Sequence, residues 1–141
     1  MAKLKSISNN YTLIIRPLSY EEKDEGWIST EIVFKKNNEN IFRDIASFLQ
    51  EAEFKEMQTK LKDIVDDKTD KYEFSFIEPN FELGLMLTEK GNVEVSAAYM
   101  KKIEYEEGEI KKNFDGSVMF ITNKDAINDF VKELDLEIKQ L

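Results

Sequence analysis

The 141 residues are enough for one domain with a continuous core, because typical domains contain roughly 100 to 200 residues. The chain contains neither cysteine nor histidine, which excludes disulfide frameworks, thiolate metal sites and the usual general base of hydrolases. Its net charge of -9 disfavours binding to nucleic acid or to anionic membranes and favours a basic protein partner.

The first third of the chain predicts three strands followed by a helix. Residues 11–18 are rich in β-branched and aliphatic side chains, residues 27–34 alternate apolar and polar ones, and residues 41–48 again favour a strand. The apolar residues then recur at three- and four-residue steps. This change of period predicts an amphipathic helix from about residue 50 to residue 65.

The second half predicts three or four further strands and a last helix. Strands are expected at 72–77, 81–87, 93–103 and 117–121, with a charged loop at 104–113. Pro79 cannot donate a ladder hydrogen bond, so residues 78–80 should form a corner between the first two strands. Thr122 or Asn123 can cap the final helix, whose apolar stripe continues to Leu141.

These elements predict an α+β fold in the order βββα-βββ(β)-α, with residues 1–141 forming a single domain. Because the connections are short, neighbouring strands should be antiparallel. We expect one sheet of about six strands with both amphipathic helices packed on one of its faces.

Candidate chemistry in the chain is sparse, and we expect no catalytic, cofactor-binding or metal-binding residues. Glu78 and Glu82 flank the predicted corner and could act as a carboxylate pair, although a turn position and the wet side of a strand explain them better, without any chemistry. Four aspartates between residues 63 and 70 lack the spacing of a calcium loop and are typical of a solvated helix end.

Two acidic segments are the most distinctive surface feature. Residues 21–25 contain four acids and one base, and residues 104–109 contain four acids and no base. Such runs are usually just solvated surface. If both segments lay on one rim of the protein, their combined electric field would attract a cationic partner, and Tyr105 would supply an aromatic anchor among the acids. The predicted partner-binding residues are Glu21, Glu22, Asp24, Glu25, Glu104, Tyr105, Glu106, Glu107 and Glu109.

One stretch also resembles a known family. Residues 74–83, Phe-Ser-Phe-Ile-Glu-Pro-Asn-Phe-Glu-Leu, are similar to the aromatic strand, Glu-Pro-Asn corner and following strand of the WapI-like bacterial immunity proteins. Trp27 at a strand start, residues 48–54 leading into a helix with Met57 and Leu61, and residues 118–121 before a terminal helix support the resemblance. The similarity extends from about Trp27 to the C-terminus.

The resemblance implies a non-enzymatic immunity protein that binds and neutralises a cognate toxin domain, often a nuclease. A generic interaction domain, a mobile-element accessory protein and, less favoured, a carboxylate-based hydrolase are the alternatives. The chain start lacks the apolar region of a secretion signal, and no run of about 20 apolar residues occurs. We therefore expect a cytoplasmic location.

Overall fold

The computed structural model describes residues 1–22, 26–111 and 113–141. The first four strands form an antiparallel sheet, called sheet A, in the order β1-β2-β3-β4. They are β1 (Lys3–Lys5), β2 (Tyr11–Glu22), β3 (Trp27–Lys36) and β4 (Glu39–Gln50). Helix α1 (Glu51–Val65) follows β4 directly.

The second half repeats this order of elements with one insertion. Its elements are β5 (Lys71–Glu73), β6 (Phe81–Leu87), β7 (Val93–Tyr99), β8 (Glu104–Glu106), β9 (Glu109–Lys111), β10 (Gly116–Thr122) and α2 (Lys124–Lys139). Strands β5, β6, β7 and β10 form the antiparallel sheet B, in the order β10-β7-β6-β5. Strands β8 and β9 pair only with each other, as a hairpin between β7 and β10. The described chain thus comprises two ββββα units, the second interrupted by a hairpin.

Both sheets turn one face toward a shared core. Successive side chains of a strand point to opposite faces, and alternate residues of β6 and β7 are buried together with the apolar stripes of both helices. In the middle of β2 and β3 consecutive residues are buried, and those of one face belong to the core. The largest fully buried side chains are Phe34, Phe54, Phe81, Tyr99 and Phe130. Each sheet therefore has an inner face on the core and an outer face directed away from it.

Strand β10 brings the two sheets together. At its start, a Cβ on Gly116 would lie 2.6 Å from Phe42 of β4, so only glycine allows this approach. Further along, the Phe120 ring stacks on Tyr11 of β2, with 6.5 Å between the ring centroids. At its end, the Ile121 carbonyl accepts a hydrogen bond from the Ile7 amide at 2.9 Å. β10 therefore runs across sheet A from β4 to the β1–β2 turn.

Side-chain caps fix the starts of both helices. Glu53, only 7% exposed, accepts from the Gln50 amide at 3.0 Å and, through its other oxygen, from the Ile77 amide at 2.9 Å. This carboxylate therefore joins α1 to the segment after β5. Asn123 caps α2 by accepting from the Ala126 amide at 2.7 Å, which confirms the predicted cap.

The predicted α+β class, antiparallel pairing and two helices are confirmed, while the number of sheets and the end of one strand are corrected. The strands divide into two four-stranded sheets instead of one sheet of about six. The helices pack against each other, and both contact sheet A, α1 at β4 and α2 at β1 and β2. The expected strand at 72–77 ends at Glu73. The next amide, that of Phe74, still donates to the Leu83 carbonyl at 2.9 Å, whereas the Ile77 amide donates to Glu53.

Candidate partner-binding site

The acidic segment 104–109, predicted as a loop, forms the β8–β9 hairpin. Glu107 and Gly108 connect the strands with φ values of 54° and 81°, so both central turn residues have positive φ. Two-residue hairpin turns of this kind favour asparagine, aspartate or glycine, because positive φ strains other side chains. Glu107 therefore occupies a position where glutamate is locally unfavourable.

The hairpin is fully exposed along both strands. Tyr105 is 68% exposed and lies opposite Ile110, which is 38% exposed. Glu106 lies directly opposite Glu109, and like charges in such a pair are destabilising. Three glutamates are thus concentrated at the tip beside an exposed aromatic side chain. An isolated two-stranded hairpin is at best marginally stable, so its orientation depends on how its base is held.

The Glu-Pro-Asn corner holds the base of the hairpin. Asn80 Nδ2 donates to the Met100 carbonyl at 2.8 Å, and the Met100 amide donates to the Asn80 carbonyl at 2.8 Å. On the other arm, Asp115 accepts from the Lys101 amide at 2.6 Å. Met100 is 1% exposed, so its bonds to Asn80 are partly shielded from water, whereas the bond between Lys101 and Asp115 is exposed. The residues that carry the family resemblance therefore position the acidic hairpin.

Tyr99 forms a rigid support below this base. Burial, together with the nearby Asp44 and Asp115 carboxylates, raises the pKa of Tyr99 well above its usual value. Its side chain is 1% exposed, and its ring packs on Phe42 with 5.0 Å between the centroids. The phenol therefore stays neutral at physiological pH and holds the end of β7 against sheet A.

The first acidic segment lies elsewhere. Glu21 is exposed and Glu22 ends β2, while Asp24, Glu25 and the side chain of Glu22 lie outside the described residues. This segment leads to Trp27 at the start of β3. The hairpin base lies beside Phe42, because Nζ of Lys101 lies over the Phe42 ring. Phe42 pairs with Phe34, which lies about 23 Å along β3 from Trp27. The two acidic segments are therefore anchored at opposite ends of β3.

Glu78 and Glu82, the alternative carboxylate pair, lie in different parts of the structure. Glu82 lies on the outer face of sheet B, where it lines a groove of about 870 Å³ together with Glu73. Glu78 belongs to the corner and does not line that groove. Within residues 1–22, 26–111 and 113–141, no group of three or more aspartates and glutamates is arranged to hold a metal ion.

Sequence reasoning missed the anchoring role of Asn80. The available signal was its position directly after Pro79, where a turn ends. Its partner, Met100, is 20 residues away and becomes a neighbour only through the pairing of β6 with β7. Neither described helix is long and apolar enough to cross a lipid bilayer.

The sequence profile of the Immunity protein WapI-like family matches residues 3–141. The chain belongs to this family. In this WapI-like protein the match includes β1 and β2, so it begins earlier than the resemblance from Trp27 indicated. It also spans the 78–80 corner and the hairpin that the corner anchors.

Other comparisons add little. No curated protein matches the chain. Among solved structures, the chain is similar to Trypanosoma brucei MRP1/MRP2, with 7% sequence identity and a TM-score of 0.48. That similarity covers 94% of this chain and 76% of the other. Similarity at this level carries no functional information.

Proposed function

We propose that this WapI-like protein is an immunity protein of a bacterial toxin system, which binds a cognate toxin domain in the cytoplasm and blocks its working surface. The family match over residues 3–141 is the observation that carries the proposal. The mechanism is occlusion by a folded scaffold, without catalysis by this chain. The single-domain organisation expected from its length suits such a role.

We propose that the β8–β9 hairpin is the main docking element. Its four glutamates would steer a basic surface into contact, and Tyr105 supplies an aromatic anchor of the kind that dominates binding energies at interfaces. Glu107 in a positive-φ turn and Glu106 opposite Glu109 are both locally unfavourable. Residues that break local rules are expected at functional sites, which supports this assignment.

The partner that fits this surface is a basic toxin domain. A nuclease domain has the appropriate chemistry, because it binds phosphate groups with lysine and arginine side chains. The acidic hairpin would occupy that surface in place of nucleic acid. Residues 21–25 are a second acidic run in the sequence, and we assign them a steering role through their long-range field.

Co-expression with the toxin domain encoded beside this gene tests the proposed function. We expect a stable complex in a pulldown and protection of growth when the toxin is induced. A toxin that forms no complex with the chain and kills cells regardless of it would remove the proposal.

The hydrolase alternative is tested in the same assay. Glu82 is the candidate carboxylate that lines a groove, so Glu82→Gln removes the proposed acid or base while preserving shape. We expect full growth protection by Glu82→Gln. Lost protection with unchanged complex formation would instead indicate catalysis.

A further inference from the structure

The outer face of sheet A is basic, in contrast to the chain as a whole. The registers of β1 to β4 define three rows of neighbouring outward residues, which we call the basic face. The rows are Lys3-Ile14-Val33-Arg43, Lys5-Thr12-Lys35-Asn40 and Arg16-Glu31-Ile45. Their middle residues Thr12, Ile14, Glu31 and Val33 are buried, and the other residues are exposed or half-buried. The rows contain five cationic side chains and one carboxylate, on a chain of net charge -9.

A buried carboxylate organises the centre of the basic face. Glu31 is 6% exposed, and its Oε2 accepts from Nε and Nη2 of Arg43, each at 2.6 Å. Its Oε1 lies 3.6 Å from Nη1 of Arg16. Both arginines are nevertheless about half exposed. The Arg43 guanidinium is therefore held in place by Glu31 while part of it remains accessible, which lowers the entropy cost of binding a partner.

Apolar side chains stand beside these arginines. Ile41 and Ile45 of β4 are 48% and 44% exposed and share the outward direction of Arg43. β4 is also the edge of sheet A, paired only with β3 among the described strands. Arginine and exposed apolar residues on one flat face are a combination typical of protein interfaces.

We propose that the basic face is a second docking surface, and that its occupant is an acidic surface of a protein. This inference is independent of the proposed toxin and of the acidic hairpin. Nucleic acid is the less favoured occupant, because the chain as a whole carries a net charge of -9. The three rows also contain no aromatic side chain, whereas proteins that bind single-stranded nucleic acid stack bases on aromatic rings.

A binding titration with labelled poly-L-glutamate of about 20 residues, at about 50 mM salt, tests the proposal on the full chain. The variant with Lys3→Glu, Lys5→Glu and Lys35→Glu changes three exposed or half-exposed residues of the basic face and leaves the Glu31 cluster intact. The matched control carries Lys68→Glu, Lys90→Glu and Lys132→Glu, all at exposed positions elsewhere. Both variants have the same net charge.

We expect poly-L-glutamate to bind the natural chain and the control variant with affinities within about twofold, and the basic-face variant at least about tenfold more weakly. The corresponding Lys→Gln triple variant should show a smaller loss in the same direction if the glutamate version folds poorly. Absence of binding to the natural chain, or equal weakening by both charge reversals, would overturn the proposal. Tighter binding of an oligo(dT) of matched charge would overturn it in favour of nucleic acid.

Discussion

Replacement of Asn80 tests whether the Glu-Pro-Asn corner anchors the hairpin. Asn80→Ala removes the donor to the Met100 carbonyl, a 2.8 Å bond at a residue that is 1% exposed. A buried carbonyl that loses its partner costs about 1 to 3 kcal/mol. At about 4 °C per kcal/mol for a chain of this length, the melting temperature should fall by about 4 to 12 °C.

Asn80→Asp is the matched control, because aspartate has nearly the same size and shape but no donor. Its carboxylate would face the Met100 carbonyl, so two acceptors would repel each other. We therefore expect Asn80→Asp to destabilise at least as much as Asn80→Ala in urea unfolding followed by circular dichroism. If Asn80→Asp were as stable as the natural chain, the anchoring bond would not be the source of the effect.

Three further predictions concern the turn, the sheet junction and pH. Glu107→Asn relieves the positive-φ strain and should slow hydrogen exchange of the β8–β9 amides about two- to fivefold; faster exchange would contradict this. Gly116→Ala forces a Cβ to 2.6 Å from Phe42 and should cost about 1 to 3 kcal/mol in urea unfolding; a neutral effect would show that the ring moves freely. Because folding raises the pKa of Tyr99, the neutral phenol contributes its full stabilisation to the fold below the ordinary tyrosine pKa of 10.0. This contribution is lost as the pH rises through the higher pKa of the folded state. The unfolding free energy should therefore fall as the pH rises above 10.0, and Tyr99→Phe should reduce the slope; an unchanged slope would exclude Tyr99 as the cause.

Local sequence patterns predicted the fold class because strand alternation and helical stripes are local properties. The stripe of α2, with its cap at Asn123, lies where the pattern indicated. The separation into two sheets was not predictable in this way. Phe34 of sheet A and Leu85 of sheet B lie in strands with the same alternation, and only the pairing of those strands places them in different sheets.

The candidate site was predicted in composition but not in shape. Residues 104–109 were recognised as acidic, but glutamates have low strand propensity and Glu107-Gly108 is an atypical turn, so a hairpin was not expected. The basic face could not be predicted at all. Lys3, Arg16, Lys35 and Arg43 are far apart in sequence, and each is unremarkable until the strand registers place them side by side.

The most direct test of the account is the rate at which the toxin domain associates with the chain at low salt. The variant with Glu104→Lys, Glu106→Lys, Glu107→Lys and Glu109→Lys reverses the hairpin charges. The control, with Glu39→Lys, Asp70→Lys, Glu89→Lys and Asp129→Lys, makes the same change at exposed positions outside the hairpin. Stopped-flow fluorescence measures both rates.

We predict that the hairpin variant associates at least about tenfold more slowly than the control variant, while both keep a melting temperature close to that of the natural chain. The difference should shrink as salt is added, because exposed charges are screened. Equal association rates for the two variants at low salt would contradict the claim that the acidic hairpin receives the toxin.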